Sequence, residues 1–251
     1  MKTKIGFFDS GIGGVTVLKE CIKLLDNFSY IYYSDSINNP YGDKSNEEII
    51  KIVDNVVNKL ISKGCNVIVI ACNTASRGCV KYLRDKYKDI KFIAIVPAIK
   101  LVYDKCNGSN ALIMATRGTM DSEKFQELYE KYGSNNCYLL SCSGLANLIE
   151  DGDLELVNDY LAKNISCYKN KVSSVVLGCT HYPIIKSNIK KVLGNVSFYD
   201  GSVGVAKQLV RIIEDNNFVG DGEFSLKFID SSNSKDKEKR FFEILEGSSY
   251  E

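Results

Sequence analysis

Two cysteines stand just beyond two similar apolar runs, where a thiol could carry acid–base chemistry. The run at 67–71 leads to Cys72, and the run at 174–177 leads through Gly178 to Cys179. Continuous apolar runs rich in β-branched residues are typical of buried strands in parallel sheets. Because ligands bind at the carboxyl ends of such strands, both thiols are candidate site residues.

Two thiols facing each other suit one particular reaction. A thiol with a pKa of about 8.5 can act as an acid or a base close to neutral pH, and a nearby helix N-terminus can tune it. If Cys72 and Cys179 flank one carbon atom, one thiol can remove a proton and the other can return a proton on the opposite face. That chemistry is racemisation without a cofactor.

Further polar side chains accompany the two thiols. Asp9 ends the first predicted strand and His181 follows Cys179 by two residues, so either could hold a proton for its thiol or tune its protonation. Four more at the same predicted sheet edge suit an ammonium group and carboxylates: Ser10, Asn73, Thr74 and Thr180. For Asp9, Asn73 and Thr74 the alternative is ordinary helix capping. Their recurrence beside both thiols favours a functional role.

The chain repeats itself at the offset that separates the two thiols. Cys179 follows Cys72 by 107 residues, and segments 5–11 and 30–36 align with 112–118 and 137–143 at the same offset. Alternating strands and helices predict an α/β fold with two similar, doubly wound, mostly parallel sheets and an active site in the cleft between them. The predicted domains are 1–97 plus 208–251, carrying Asp9 and Cys72, and 98–207, carrying Glu150, Cys179 and His181.

Local signals place the elements that would position these residues. A glycine-rich turn at 11–14 opens the first helix, serving either tight strand-to-helix packing or an anion seat for a substrate carboxylate. Ser45 and Glu48 form a capping box that begins a second helix, and Gly64 ends it. The strand that leads to Cys72 is followed by a predicted helix from about Thr74 to Tyr87.

Composition narrows the class of protein. The 251 residues are 45% hydrophobic and 25% charged with a net charge of +1, which gives no case for a nucleic-acid or membrane surface. No apolar run approaches the roughly 20 residues that span a bilayer, so a cytoplasmic location is predicted.

Nine cysteines in such a location predict reduced thiols. Six are expected as small core hydrophobes: Cys21, Cys65, Cys79, Cys106, Cys137 and Cys167. A single histidine and the lack of a C-x-x-C pair argue against a zinc site.

Four segments in order carry a family resemblance: DSGIGG at 9–14, PYG at 40–42, ACNTAS at 71–76 and GCTHYP at 178–183. Together they resemble glutamate racemase, of the aspartate/glutamate racemase superfamily, over nearly the whole chain to about Gly220. The resemblance implies a bacterial cytoplasmic enzyme that makes D-glutamate for peptidoglycan without pyridoxal phosphate or metal. It implies Cys72 as the base for D-glutamate and Cys179 as the base for L-glutamate, assisted by Asp9 and His181.

The resemblance also implies the remaining site residues and partners. The implied substrate site consists of Asp9, Ser10, Tyr41, Gly42, Asn73, Thr74, Thr180 and His181. Glu150 looks like the family's further acidic residue, with a solvated helix-end carboxylate as the alternative; Thr116 and Thr119 are candidates for contact with a substrate carboxylate. Segments 96–100 and 115–119 resemble the subgroup regulated by a peptidoglycan precursor, which makes such a precursor a candidate effector. A homodimer is expected because the family forms dimers.

Three alternatives stay open at this point. The first is another racemase of the superfamily acting on aspartate, against which His181 argues because aspartate racemases more often carry an acidic residue there. The second is a non-catalytic amino-acid-binding protein whose cysteines are merely buried. The third is a redox pair, Cys72 with Cys79 or Cys137 with Cys142, although neither spacing matches C-x-x-C.

Overall fold

The computed structural model describes residues 2–42, 44–105, 110–133 and 136–247, which contain two parallel β-sheets. The strands in chain order are β1 (Lys4–Asp9), β2 (Ser29–Ser34), β3 (Cys65–Ile70), β4 (Lys91–Ala94), β5 (Ala111–Ala115), β6 (Cys137–Ser141), β7 (Ser174–Leu177), β8 (Ser197–Tyr199) and β9 (Ser225–Asp230). The first sheet has the order β4-β3-β1-β2-β9 and the second has the order β6-β5-β7-β8.

Helices connect these strands. They are α1 (Val15–Ile22), α2 (Asn46–Ser62), α3 (Asn73–Lys86), α4 (Ile99–Lys105), α5 (Arg117–Met120), α6 (Glu123–Tyr132), α7 (Leu145–Asp151), α8 (Leu154–Ile165), α9 (Lys186–Leu193), α10 (Ser202–Asp215) and α11 (Lys235–Glu246), with short 3₁₀ turns at Ser36–Asn38, Ser166–Tyr168 and Tyr182–Ile185. The capping box at the start of α2 forms as predicted, because the Ser45 hydroxyl accepts from the Glu48 backbone and the Glu48 carboxylate accepts from the Ser45 backbone.

The two sheets share one strand order. Four strands of the first sheet, β4-β3-β1-β2, correspond in sequence to β8-β7-β5-β6 of the second, and every pairing between labelled strands is parallel. The predicted α/β fold with two similar parallel sheets is therefore confirmed. Strand β9 extends the first sheet beside β2.

Helices on both faces explain the apolar strand sequences. Along β1, Phe7 belongs to a buried cluster that includes Leu18 of α1, whereas Phe8 belongs to another that includes Val53 of α2. The cluster of Phe7 also contains Leu177 of β7. The part of the chain that carries the first sheet and the part that carries the second, here called the two halves, therefore share an apolar core. Removing apolar surface from water is the main force that stabilises such an arrangement.

Three details differ from expectation or go beyond it. Helix α4 follows Pro97, where the sequence predicted only a crossing between the halves. Helix α3 leaves helical geometry at Arg77 (φ −67°, ψ 124°) and Gly78, whose φ of 72° favours glycine. Helix α10 runs without interruption through residues 207 and 208, so the predicted domain limits stay a prediction.

The cysteines are mostly core residues, as expected, with exceptions. Cys21, Cys65 and Cys79 are buried, but Cys137 is only half-buried and Cys167 is exposed because it lies in the short 3₁₀ turn after α8. Cys106 lies outside the described residues. The described cysteines are all free thiols. Nowhere in the described ranges is a helix both long and apolar enough to cross a membrane.

Candidate active site

A small cavity opens where the strands of both sheets end. Its volume of about 150 Å³ is below the range usual for drug-sized ligands and suits a compact molecule. The residues that line it come from both halves of the chain: Ser10, Asn39, Pro40, Tyr41, Gly42, Cys72, Asn73, Thr74, Thr116, Arg117, Cys142, Ser143, Gly144, Ala146, Asn147, Cys179, Thr180 and His181.

Cys72 lies between β3 and α3 and acts as the N-cap of that helix. Its sulfur accepts from the backbone N–H of Ala75 at 3.4 Å and lies 3.5 Å from the Ser10 hydroxyl. Burial raises the pKa of the Cys72 thiol and the charge of Asp9 adds to this, whereas the two hydrogen bonds lower it. The thiol therefore holds its proton firmly, and its thiolate is a correspondingly strong base.

Cys179 follows β7 and is paired with the only histidine of the chain. Its Sγ lies 3.8 Å from Nδ1 of His181, whose Nε2 lies 2.5 Å from Oε2 of Glu150. Burial lowers the pKa of His181, but its bonds to Cys179 and Glu150 outweigh burial and hold that pKa well above its usual value. The imidazole therefore keeps its proton up to a higher pH than a free histidine, next to the second thiol.

Glu150 is not the solvated helix-end carboxylate that the sequence left open. Its side chain is 2% exposed, and besides His181 it faces Nζ of Lys237 at 3.2 Å. Burial raises the pKa of Glu150, yet the hydrogen bond and charge of His181 bring it down to about 2. Glu150 does not line the cavity, so it acts on the site through His181.

The glycine-rich turn at 11–14 packs closely around the carboxylate of Glu150. The N–H of Ile12 donates to both oxygens of Glu150, at 3.0 and 3.3 Å. A Cβ on Gly11 would collide with Glu150, and a Cβ on Gly13 would come within 2.5 Å of Nδ1 of His181. The anion that this turn seats is therefore the protein's own carboxylate.

Asp9 is fully buried at the end of β1 and joins the two halves. Its Oδ2 accepts from the N–H of Gly14 at 2.5 Å and from the Thr180 hydroxyl at 3.1 Å. Burial raises the pKa of Asp9, against the lowering effect of the His181 charge. Asp9 influences Cys72 through its charge, while its hydrogen bonds go to the glycine turn and to the residue after Cys179.

Asn73 and Thr74 do not cap α3, because Cys72 does. The Thr74 hydroxyl lies 2.9 Å from that of Thr116 and 3.2 Å from that of Thr119, which joins the halves at the cavity wall. Oδ1 of Asn73 and Oδ1 of Asp9 are buried without a hydrogen-bond partner in the described structure. Of the two residues, Asn73 lines the cavity, and its unpaired amide oxygen suits an ammonium group.

Tyr41 and Gly42 form another wall of the cavity. The Tyr41 hydroxyl donates to Oδ2 of the buried Asp35 at 2.5 Å, and Asn38 donates to both oxygens of the same carboxylate. Asp35 therefore fixes the Pro40–Tyr41–Gly42 segment from behind. It is a supporting residue that the sequence analysis did not single out.

Most of the predicted site residues line the cavity, and the exceptions stand behind it. Asp9, Glu150 and Thr119 are absent from the lining but bond directly to residues in it. The sequence analysis missed the wall formed by Cys142, Ser143 and Gly144. A signal was available, because Cys142 directly follows β6 and stands 107 residues after Asp35 in the repeat.

The arrangement suits proton transfer between two thiols on either side of a small polar ligand. No three His, Cys, Asp or Glu side chains of the described ranges are grouped so that they could hold a metal ion. The cavity instead offers hydroxyl, amide and thiol groups, which bind and protonate.

Comparison with known proteins agrees with this geometry. A family model described as Asp/Glu/Hydantoin racemase matches residues 17–209. The chain is 44% identical over 218 residues to a glutamate racemase of Clostridium perfringens, a match that covers 85% of this chain and 84% of that protein.

Solved structures of glutamate racemases share the fold. The Escherichia coli enzyme in complex with L-glutamate and the activator UDP-MurNAc-Ala is 26% identical, with a TM-score of 0.85 over 100% of this chain and 96% of that one. The Francisella tularensis enzyme in complex with D-glutamate is 28% identical, with a TM-score of 0.78 over the same shares of the two chains. These matches confirm the resemblance seen in the four sequence motifs, and the chain belongs to the Asp/Glu/hydantoin racemase family.

Proposed function

We propose that the protein interconverts L-glutamate and D-glutamate without a cofactor, with Cys72 and Cys179 as its two acid–base groups. The observation that carries the proposal is that buried thiols from both halves of the chain line the same small cavity, Cys72 from the first half and Cys179, beside His181, from the second. The enzyme is thus an isomerase, and the names of its relatives support glutamate as the substrate.

The reaction moves two protons. One thiolate accepts the α-proton, so that the C–H bond breaks and its electron pair stays on the α-carbon. The thiol on the opposite face then gives its proton to that carbon, which forms the C–H bond of the other enantiomer. At the end one cysteine has gained a proton and the other has lost one, and the reverse reaction restores the starting state.

The surroundings of the thiols suit this task. An α-proton is a weak acid, so a strong base is needed, and the raised pKa of Cys72 makes its thiolate such a base. His181, 3.8 Å from the sulfur of Cys179, can take the proton of that thiol or return it. Asp9 sets the charge beside Cys72 and bonds to Thr180.

The substrate would be held by groups from both halves. Its ammonium fits the free acceptor oxygen of Asn73, and its carboxylates fit hydroxyls of the lining such as those of Ser10 and Thr74. The complexes of the Escherichia coli and Francisella tularensis enzymes with L- and D-glutamate support both enantiomers as ligands.

Three further parts of the proposal concern the cell. The product D-glutamate would supply peptidoglycan synthesis in the cytoplasm, as the family resemblance implies. The activator bound to the Escherichia coli enzyme supports a peptidoglycan precursor as an effector of this chain too. A homodimer remains a prediction from the family.

The test follows the α-proton directly. Proton NMR of L-glutamate and, separately, D-glutamate in deuterated water should show loss of the α-proton signal, while circular dichroism of the amino acid decays to zero. Either Cys72→Ser or Cys179→Ser should abolish the decay, because each removes one of the two bases. Cys167→Ser makes the same change at an exposed site away from the cavity and should react like the wild type.

Two results would change the proposal. If aspartate loses its α-proton and glutamate does not, the two-thiol mechanism stands with a different substrate. If neither amino acid reacts, even with UDP-MurNAc-Ala added, the non-catalytic binding protein becomes the better interpretation.

A further inference from the structure

The helix α11 contacts Glu150, the carboxylate that bonds to His181. Nζ of Lys237 lies 3.2 Å from Oε1 of Glu150, the oxygen opposite the one that faces His181. The Lys237 side chain is 24% exposed, so it is mostly enclosed between α11 and the site.

A second contact from the same helix fixes the backbone of Glu150. Nη1 of Arg240 donates to the carbonyl oxygen of Glu150 at 2.6 Å, and Nη2 donates to that of Ile149. These carbonyls lie in the last turn of α7, where a cation offsets the negative end of the helix. Helix α11 therefore contacts both the side chain and the main chain of Glu150.

The carboxylate of Glu150 thus has a complete set of partners. It accepts from the N–H of Ile12, it bonds to Nε2 of His181 and it faces Lys237. A buried carboxylate with fixed donors on each side is held in one orientation, and it holds its own partners in turn.

We propose that Lys237 is a positioning residue for the racemase reaction, which orients Glu150 and so sets how tightly His181 holds its proton beside Cys179. The inference rests on the proposed function, in which His181 exchanges a proton with Cys179. Its basis is the continuous chain of contacts from Lys237 through Glu150 and His181 to the thiol.

The direction of the effect follows from the charges. Glu150 alone would hold the imidazolium very strongly, and Lys237 shares the negative charge of that carboxylate with His181. The other titratable or charged groups that act on this pair are Asp9 at the end of β1, Tyr32 of β2, Cys179 after β7 and Arg240 of α11. Removing Lys237 takes away one positive charge near the imidazolium, so His181 should hold its proton up to higher pH.

The single histidine makes this effect directly measurable. Protein labelled with ¹⁵N only in histidine gives signals from His181 alone, because the sequence contains no other histidine. Its ring shifts should be followed against pH in the wild type, Lys237→Met, Lys237→Arg and Lys239→Met. Lys239 is the matched control, since it lies on the same helix with a 77% exposed side chain and its ion pair within the described residues is with Glu243.

We expect Lys237→Met to move the His181 titration to higher pH, Lys237→Arg to restore it, and Lys239→Met to leave it in place. In parallel, kcat/KM of Lys237→Met should fall on the order of ten-fold, the scale of the loss when an outer partner of a metal-bound histidine is removed. The fall must be equal for both enantiomers, because they have equal free energies in water. The alkaline limb of the pH profile should move with the imidazole.

Two outcomes separate this inference from the proposed function. If the wild type racemises glutamate while Lys237→Met keeps the wild-type kcat/KM and His181 titration, Lys237 has no positioning role and the proposed function stands. If the wild type racemises neither enantiomer, the proposed function is wrong, and the titration alone decides whether Lys237 acts on His181. If the imidazole of His181 stays protonated over the whole pH range in both the wild type and Lys237→Met, kcat/KM decides. An unchanged kcat/KM in Lys237→Met overturns the inference, and a loss that Lys237→Arg restores supports it.

Discussion

His181 engages a partner through each of its ring nitrogens. Nε2 faces the carboxylate of Glu150, so that nitrogen carries a proton and donates it. Nδ1 faces the sulfur of Cys179 and can therefore donate to a thiolate or accept from a thiol. A proton can move along this bond without any change in the position of the ring, which is what a thiol that alternates between acid and base requires.

The Glu150 carboxylate links this site to the stability of the fold. Burial raises its pKa, but His181 and Lys237 bring that pKa from the ordinary 4.5 to about 2 in the folded protein. A group whose pKa is lower in the folded state stabilises the fold above its ordinary pKa, and this stabilisation is lost as pH falls toward the folded value. The window for Glu150 therefore runs from about pH 4.5 down to about pH 2.

Replacing this carboxylate should flatten the acid limb of stability. We expect the free energy of unfolding of Glu150→Gln to vary less between those two pH values than that of the wild type, because glutamine does not titrate. Urea unfolding at a series of pH values measures the difference. Glu214→Gln, which removes a carboxylate from an exposed position of α10, is the matched control. Parallel curves for wild type and Glu150→Gln would contradict the assignment.

At the scale of elements, the turn between β1 and α1 shapes the site through its glycines. Its backbone passes so close to His181 and Glu150 that no Cβ fits at Gly11 or Gly13. The same turn presents the N–H groups of Ile12 and Gly14 to the carboxylates of Glu150 and Asp9. One short segment therefore orients acidic groups of both halves.

A single methyl group in this turn should disable the enzyme. In Gly13→Ala the new Cβ would lie 2.5 Å from Nδ1, so the imidazole or the turn would have to shift and the alignment of His181 with Cys179 would change. Because a misplacement of about 1 Å can cost on the order of 100-fold in rate, we expect a fall of that size in kcat. Racemisation followed by circular dichroism measures it.

Gly204→Ala is the matched control for this prediction. A Cβ at Gly204 meets nothing within 4 Å, and the residue is exposed in α10. Activity should stay at the wild-type level, and stability should rise by roughly 0.5–1 kcal/mol because alanine favours a helix over glycine. Wild-type activity in Gly13→Ala would mean that the imidazole does not need its present position.

The sequence was informative where local chemistry decides the structure. The capping box of Ser45 and Glu48, the apolar runs of β3 and β7, and the polar residues just after them could all be predicted, because each signal lies within a few residues. The partner of the glycine turn could not, since Ile12 and Glu150 are 138 residues apart. Nor could the role of Lys237, since a lysine-rich helix has the pattern of a solvated surface.

At the scale of the whole molecule, the cavity is the place where the two halves are bonded together. Asp9 bonds to Thr180, Thr74 bonds to Thr116, and the Thr16 hydroxyl donates to the carbonyl of Thr180 at 3.1 Å. The relative position of Cys72 and Cys179 therefore depends on contacts between the halves. Weakening these contacts should loosen the site without removing any reacting group.

Arg77 makes a contact between the halves and can be changed without altering the cavity lining. The break in α3 at Arg77 and Gly78 accompanies contacts of its guanidinium with the carbonyls of Gly118 in α5, at 2.8 Å, and of Lys44. Gly118 follows Thr116, whose hydroxyl meets Thr74 in the cavity wall. Arg77 thus holds the start of α5 against the first half of the chain.

Arg77→Met should separate binding from chemistry. Loss of the charged hydrogen bond to Gly118 in the other half should raise KM for glutamate by up to about ten-fold while kcat changes less, because both thiols and His181 remain. Initial rates with both enantiomers measure the two constants. Arg84→Met is the control, because Arg84 lies on the same helix and donates to the carbonyl of Phe92 within the first half, so its loss should leave KM unchanged. If kcat of Arg77→Met falls by a larger factor than KM rises, the prediction is wrong. The contact between the halves would then set the distance between the thiols and not the binding of substrate in the cavity.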